Sequence, residues 1–217
     1  MATPTQKSWE ELKRIVRYIR STQTARQLLT IKSTVMKPEW LEVYCDANWA
    51  SGANSQGGKS TSCGFMSVGG FPLVFFSRTQ SVISLSSCEA ELFALTAALQ
   101  EARGVHTLLG ELGLVLRTRA HTDSSAAIGA ASRRGLGSKL RHVSLRELWV
   151  QAEVQSRRVC VNKVLGTMNP ADLGTKHLGA AQIQSCCQMV GLSFDPDQSN
   201  KLGFEKTLGL IELGGTT

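Results

Sequence analysis

Four carboxylates stand where structural elements should begin or end. Asp46 follows the apolar run 41–45, Glu91 falls in the first turn of a long helical pattern, Asp123 closes a short strand, and Asp172 enters the last helix. Their separations along the chain are 45, 32 and 49 residues. A carboxylate at the end of an apolar strand is costly to desolvate and is rarely buried without a partner. Taken singly, Asp46 reads as a turn residue or a strand-end cap. Four such groups converging on one sheet edge would repel one another strongly unless cations neutralised them. Hard oxygen ligands with open positions suit Mg²⁺ or Mn²⁺. Two such ions roughly 3.5–4 Å apart can drive phosphodiester hydrolysis. Spacing alone leaves both readings open.

The elements that would position these acids follow from hydrophobic periodicity. "WEELKRIVRYI" sets Trp9, Leu12, Val16 and Ile19 at helical spacing with basic residues on the other faces. A polar linker ends at "KPEW", and the main domain starts near Trp40. A strand is expected over about 41–47, followed by a Gly/Ser/Asn-rich loop. "CGFMSVGGFPLVFFS" then reads as a hairpin turning at Gly69-Gly70. Ser86 and Glu89 form an S-x-x-E capping box. Leu92, Leu95, Leu99 and Ala102 follow at helical spacing, and Gly104 is expected to end that helix. A strand over about 117–122 comes next, then the short helix "SSAAIGAAS" and the basic loop "RRGLGSKLR". The helix "HVSLRELWVQAEVQS", the strand "RVCVNKVL" and the loop "GTMNPADLGTKHL" entering a final helix complete the pattern. The order βββαβααβα predicts an α/β fold with a mixed five-stranded sheet flanked by helices.

Composition narrows the class. The chain has 217 residues, 42% of them apolar, and five prolines, as expected of a globular domain with appendages. No apolar run reaches membrane-spanning length, and the first residues lack the apolar core of a secretory signal. Six cysteines include no C-x-x-C pair, and the four histidines have no ligand spacing. A structural zinc site is therefore not expected, and reduced thiols in an intracellular protein, cytoplasmic or nuclear, fit better. The net charge of +7 is concentrated in residues 1–40 and 133–158, each at +5. Such patches are the expected footprint of a phosphate-rich partner, although solvated faces also produce them.

The local strings carry a resemblance. "YCDANWAS", "GKSTSCGF", "SLSSCEAEL", "TDSSAAI", "LRHVSLRELWVQ" and "NPADLGTK" resemble the ribonuclease H domain of copia-type LTR retrotransposon Pol polyproteins. "WEELKRIVRYIRST" resembles the helix joining reverse transcriptase to that domain. The similarity covers about residues 7–178. It implies a ribonuclease H-like fold and assigns Asp46, Glu91, Asp123 and Asp172 as catalytic, metal-binding residues for two Mg²⁺ or Mn²⁺ ions. It also separates two neighbouring glutamates. Glu89 and Glu91 point about 200° apart on a helix, so Glu89 takes the capping role and Glu91 the metal. Asn48 replaces the family's second Asp in the first string, as an outer-shell residue. Many cellular ribonucleases H have a histidine before the last aspartate, and "GTMNPA" has none. His177 reads as a surface residue, His142 as structural and Trp49 as packing. Ser124 and Ser125 either contact phosphate or cap the helix after Asp123.

The function implied is a metal-dependent endonuclease that hydrolyses the RNA strand of RNA–DNA hybrids. Hybrid selectivity would come from 2′-hydroxyl contacts and minor-groove shape. Ser124, Arg133, Arg134, Lys139, Arg141, Arg157 and Arg158 are the candidate nucleic-acid contacts. The expected partners are the hybrid and the reverse transcriptase portion of a polyprotein, with no membrane. The expected divisions are a basic helix and linker over 1–39, the ribonuclease H-like domain over 40–180, and a helix with a loosely held tail over 181–217. The competing reading is a domesticated or inactive retrotransposon remnant that binds nucleic acid or a partner. The chain contains neither a Y-x-D-D polymerase signature nor an integrase-like zinc motif.

Overall fold

The computed structural model describes residues 4–23, 25–27, 38–50, 58–135 and 145–193. In chain order the elements are α1 (Gln6–Ser21), β1 (Arg26–Gln27), β2 (Trp40–Asn48), β3 (Thr61–Val68), β4 (Phe71–Thr79), α2 (Ser87–Glu111), β5 (Arg117–Thr122) and α3 (Ser125–Ser132). After these come α4 (Leu145–Gln155), β6 (Val159–Lys163), two 3₁₀ turns (Gly166–Met168 and Pro170–Gly174), α5 (Ala180–Met189) and β7 (Leu192–Ser193). The chain divides into two compact units, one of residues 29–176 and one joining 1–28 to 177–217. In the second unit, β1 pairs antiparallel with β7.

The larger unit is built on a five-stranded sheet in the order β4-β3-β2-β5-β6. The first three strands are antiparallel, whereas β2–β5 and β5–β6 are parallel. The β3–β4 hairpin turns at Gly69 and Gly70, whose φ values of 58° and 84° match the left-handed pair that a two-residue turn requires. Alternation along β2 sends Leu41, Val43 and Cys45 into the core, all fully buried. There they meet Met66, Leu95, Ala98, Leu99, Ala120 and Val150, so α2 and α4 cover this face. Each large apolar side chain buried this way contributes about 1.5–3 kcal/mol. The result is the expected α/β arrangement, a mixed five-stranded sheet flanked by helices.

Three expectations need correction. The long helix does not end at Gly104. It runs on to Glu111, because Val105 and Leu109 still pack against the core, and burial outweighs the ~1 kcal/mol cost of one helical glycine. Its actual stop is Gly113, with φ of 80°. Asp46 does not close its strand but lies inside β2, paired with Cys63. Asp172 does not enter the final helix. It sits in the 3₁₀ turn Pro170–Gly174, eight residues before α5 begins at Ala180.

Candidate active site

Strands β2 and β5 lie side by side and parallel, with Tyr44 opposite His121. Two residues further along each, the register brings Asp46 abreast of Asp123. Across the antiparallel strands, Asp46, Cys63 and Ser77 share one row, and Cys45, Gly64 and Phe76 share the next, facing the opposite way. The turn Pro170–Gly174 lies on the Asp46 row. Asn169, fully buried, donates from Nδ2 to the Cys45 carbonyl at 3.0 Å and accepts from the Ala171 N–H. Ser77 Oγ donates to the Gly174 carbonyl at 2.5 Å. Asn48 donates to the Thr175 carbonyl at 2.7 Å, and the Thr175 hydroxyl donates to Asp46 Oδ2. A Cβ on Gly174 would stand 2.5 Å from Cys63 Sγ and 3.1 Å from Ser77 Cβ. Only glycine lets the turn come this close.

These contacts bring three of the four expected acids together. One carboxylate oxygen from each of Asp46, Asp123 and Asp172 lies within 4.8 Å of the other two. Glu91 stands outside that set, although the charges of Asp46 and Asp123 both act on it. Its Oε2 is buried with no hydrogen-bond partner, an uncommon and costly state for a carboxylate oxygen. Lys176 completes the cluster. Its Nζ is 2.8 Å from Asp172 Oδ1, 3.1 Å from Asp46 Oδ1 and 3.8 Å from Asp123 Oδ2.

The electrostatics follow from crowding. Burial lifts the Asp46 carboxyl to about 6, against the opposing pull of Thr175 and Lys176. Burial and the neighbouring aspartates lift Glu91 to about 8, while the Ala47 backbone N–H bonded to it works the other way. Asp172 is also raised, chiefly by burial. The Lys176 ammonium is partly desolvated, which disfavours its charge, yet Asp172 and Asp46 more than offset this and raise it. Like-charged acids crowd here around the Lys176 ammonium, and their all-oxygen donor set is the kind that Mg²⁺ or Mn²⁺ takes.

Sequence reasoning missed Lys176, Thr175 and Asn169. All three lie in the "NPADLGTK" string, and Lys176 follows Asp172 by four residues. Glu89 does cap α2. Its N–H donates to Ser86 Oγ at 3.2 Å, and its carboxylate accepts from the Leu85 N–H at 3.0 Å. Ser124 caps α3, accepting from the Ala127 N–H. Trp49 is half exposed and donates from Nε1 to the Ser84 carbonyl. His177 is exposed. Arg133 and Arg134 are exposed at the end of α3. Lys139, Arg141 and His142 lie outside the described residues. Arg157 and Arg158 precede β6, at the end of the parallel strands opposite Asp123, with Arg158 about 20 Å away by strand rise. There Arg158 pairs with Glu153 at 2.8 Å, beside a cavity of about 450 Å³ that Arg103 and Trp149 also line.

The chain is 26% identical over 193 residues to the retrovirus-related Pol polyprotein from transposon TNT 1-94 of Nicotiana tabacum, a match covering 88% of this chain and 14% of the polyprotein. It is 28% identical over 199 residues to that from transposon RE1 of Arabidopsis thaliana, covering 90% and 13%. The chain is homologous to retrovirus-related Pol polyproteins of plant transposons. It spans about one seventh of the length of these Pol relatives. It is also 38% identical over 94 residues to secreted RxLR effector protein 161 of Plasmopara viticola, covering 43% of this chain and 62% of that protein. No protein-family model matches. Similar solved structures include RNase H1 from Halobacterium salinarum (TM-score 0.45, 16% identity, 63% of this chain and 94% of that one). LC11-RNase H1, isolated from compost, is another (TM-score 0.48, 14% identity, 64% and 94%). No helix among the described residues is long and apolar enough to cross a membrane.

Proposed function

We propose that this chain is the ribonuclease H domain of a copia-type retrotransposon Pol polyprotein, a metal-dependent endonuclease hydrolysing the RNA strand of RNA–DNA hybrids. The observation that carries the reading is the convergence of Asp46, Asp123 and Asp172, from β2, the end of β5 and a 3₁₀ turn, within 4.8 Å of one another. The buried Glu91 oxygen without a partner fits a further ligand. These four residues would hold Mg²⁺ or Mn²⁺, two ions in this reading. When bound, such ions supply Lewis acidity and lower the pKa of water. The chain's own residues prepare the site. Thr175 orients Asp46, Asn48 holds Thr175, and Asn169 fixes the turn that presents Asp172. Arg133 and Arg134, with Lys139 and Arg141 in the same basic segment, would grip backbone phosphates, and Arg157 and Arg158 would extend that grip. Recognition of the hybrid would rest on 2′-hydroxyls and minor-groove shape. In a polyprotein, the reverse transcriptase portion would be the covalent partner.

The test is hydrolysis of a labelled hybrid in Mg²⁺. The RNA strand is cut and duplex DNA is spared. Asp46→Asn removes one ligand charge, and its cleavage falls at least as far as the ~10–100-fold typical of outer-shell changes. Parental cleavage by Asp46→Asn in saturating Mg²⁺ would return Asp46 to the role of a structural residue. The second reading, an inactive nucleic-acid-binding remnant, is favoured by the ammonium already seated among the aspartates. Hybrid binding without cleavage by the parent would select it.

A further inference from the structure

Lys176 is fixed where it stands. The turn Pro170–Gly174 is pinned to β2 through Asn169 and to β4 through Ser77. Thr175 is held by both Asn48 and Asp46. The next side chain therefore has little choice but to lie over the aspartate row, where its ammonium meets all three carboxylates while the side chain as a whole remains 36% exposed. An ammonium presents three donors, and three aspartates surround this one. Divalent ions of the Mg²⁺ class bind carboxylate oxygens at about 2.0–2.1 Å, closer than the 2.8–3.8 Å that separate Nζ from these oxygens. The ammonium and an ion sharing the same three oxygens cannot both be accommodated.

Resting on the nuclease reading above, we propose that Lys176 is a built-in counter-cation. It neutralises the aspartates when no ion is bound, and a divalent ion must expel it to bind. The lysine thereby sets the ion concentration at which the site fills. Its exposure gives it an exit toward solvent. A residue with a merely structural role would predict the opposite effect of its removal, because a disordered site binds ions less well.

The experiment uses the full chain and its Lys176→Met and Lys176→Arg variants, titrated calorimetrically with Mn²⁺ and with Ca²⁺. Lys176→Met binds either ion at least ten-fold more tightly than the parent, and its melting temperature in EDTA drops below the parent's. Lys176→Arg, which keeps the charge, binds ions with near-parental affinity. Unchanged or weaker ion binding by Lys176→Met overturns the proposal. A second measurement needs only the parent. Labelling of Lys176 by an amine-reactive reagent, read by mass spectrometry, rises several-fold when Ca²⁺ is added. Labelling indifferent to the ion also overturns it. Hybrid cleavage on the same samples separates the two readings. Ion-driven release of Lys176 without cleavage sinks the nuclease and leaves the counter-cation. Cleavage with unchanged labelling and unchanged affinity in Lys176→Met does the reverse.

Discussion

An isolated aspartate titrates near pH 4, but Asp46 is lifted by burial to about 6 and Glu91 to about 8. In the unfolded chain both return to the ordinary range. The raised pKa means that the folded state holds its protons more tightly. The stability this confers is fully present below about pH 4 and is lost as pH climbs through 6 for Asp46 and 8 for Glu91. In EDTA, the melting temperature of the parent should therefore decline between pH 5 and 8, and Glu91→Gln should flatten the decline. Saturating Mn²⁺ should reverse the slope, since ligation requires ionised carboxylates. A decline just as steep in Glu91→Gln would show that the buried oxygen is not the source. These acids were legible in the sequence through the local strings that carry the resemblance, while periodicity alone misplaced Asp46 at a strand end and Asp172 at the start of a helix. Lys176 and Thr175 were not, because their roles depend on where a short 3₁₀ turn lands on the sheet, and no periodicity encodes that.

At the scale of elements, two glycines show where local reading succeeds and fails. Gly104 reads as a helix stop, yet it lies within α2 with nothing within 4 Å of an added Cβ. Gly104→Ala should raise stability by about 0.5–1 kcal/mol, measured by urea unfolding, whereas a true left-handed stop would lose stability. Gly174 carries no signal beyond its place in the "NPADLGTK" string, yet its Cβ position is occupied by Cys63 Sγ. Gly174→Ala should cost about 1–3 kcal/mol by overpacking and should depress hybrid cleavage, because the same turn carries Asp172. Adding Cys63→Ala should restore part of both, giving a non-additive pair. Strictly additive losses would place the clash elsewhere. The strands and the first helix were readable because alternation and caps are local. The end of α2 was not, because long-range packing of Val105 and Leu109 overrode a weak propensity.

At the scale of the molecule, positive charge is gathered in two sequence blocks, and the acidic cluster lies apart from the arginines before β6. If exposed Arg133 and Arg134 each neutralise one phosphate, replacing both by alanine should weaken hybrid binding in Ca²⁺. The slope of log affinity against log salt should then lessen by about 1.4–1.8. An unchanged slope would remove them from the interface. The mixed sheet also imposes an order in time. Its central strand, β2, pairs both with the hairpin strand that follows it and with the much later β5, and Asp46 finds its last partners 129 and 130 residues downstream. A nascent chain that has left the ribosome as far as β6 already contains every strand of the large sheet, but only Asp46 and Asp123 of the three aspartates. The three aspartates come together only when residues 169–176 emerge, just after β6, so during synthesis the sheet is complete before the acidic cluster is.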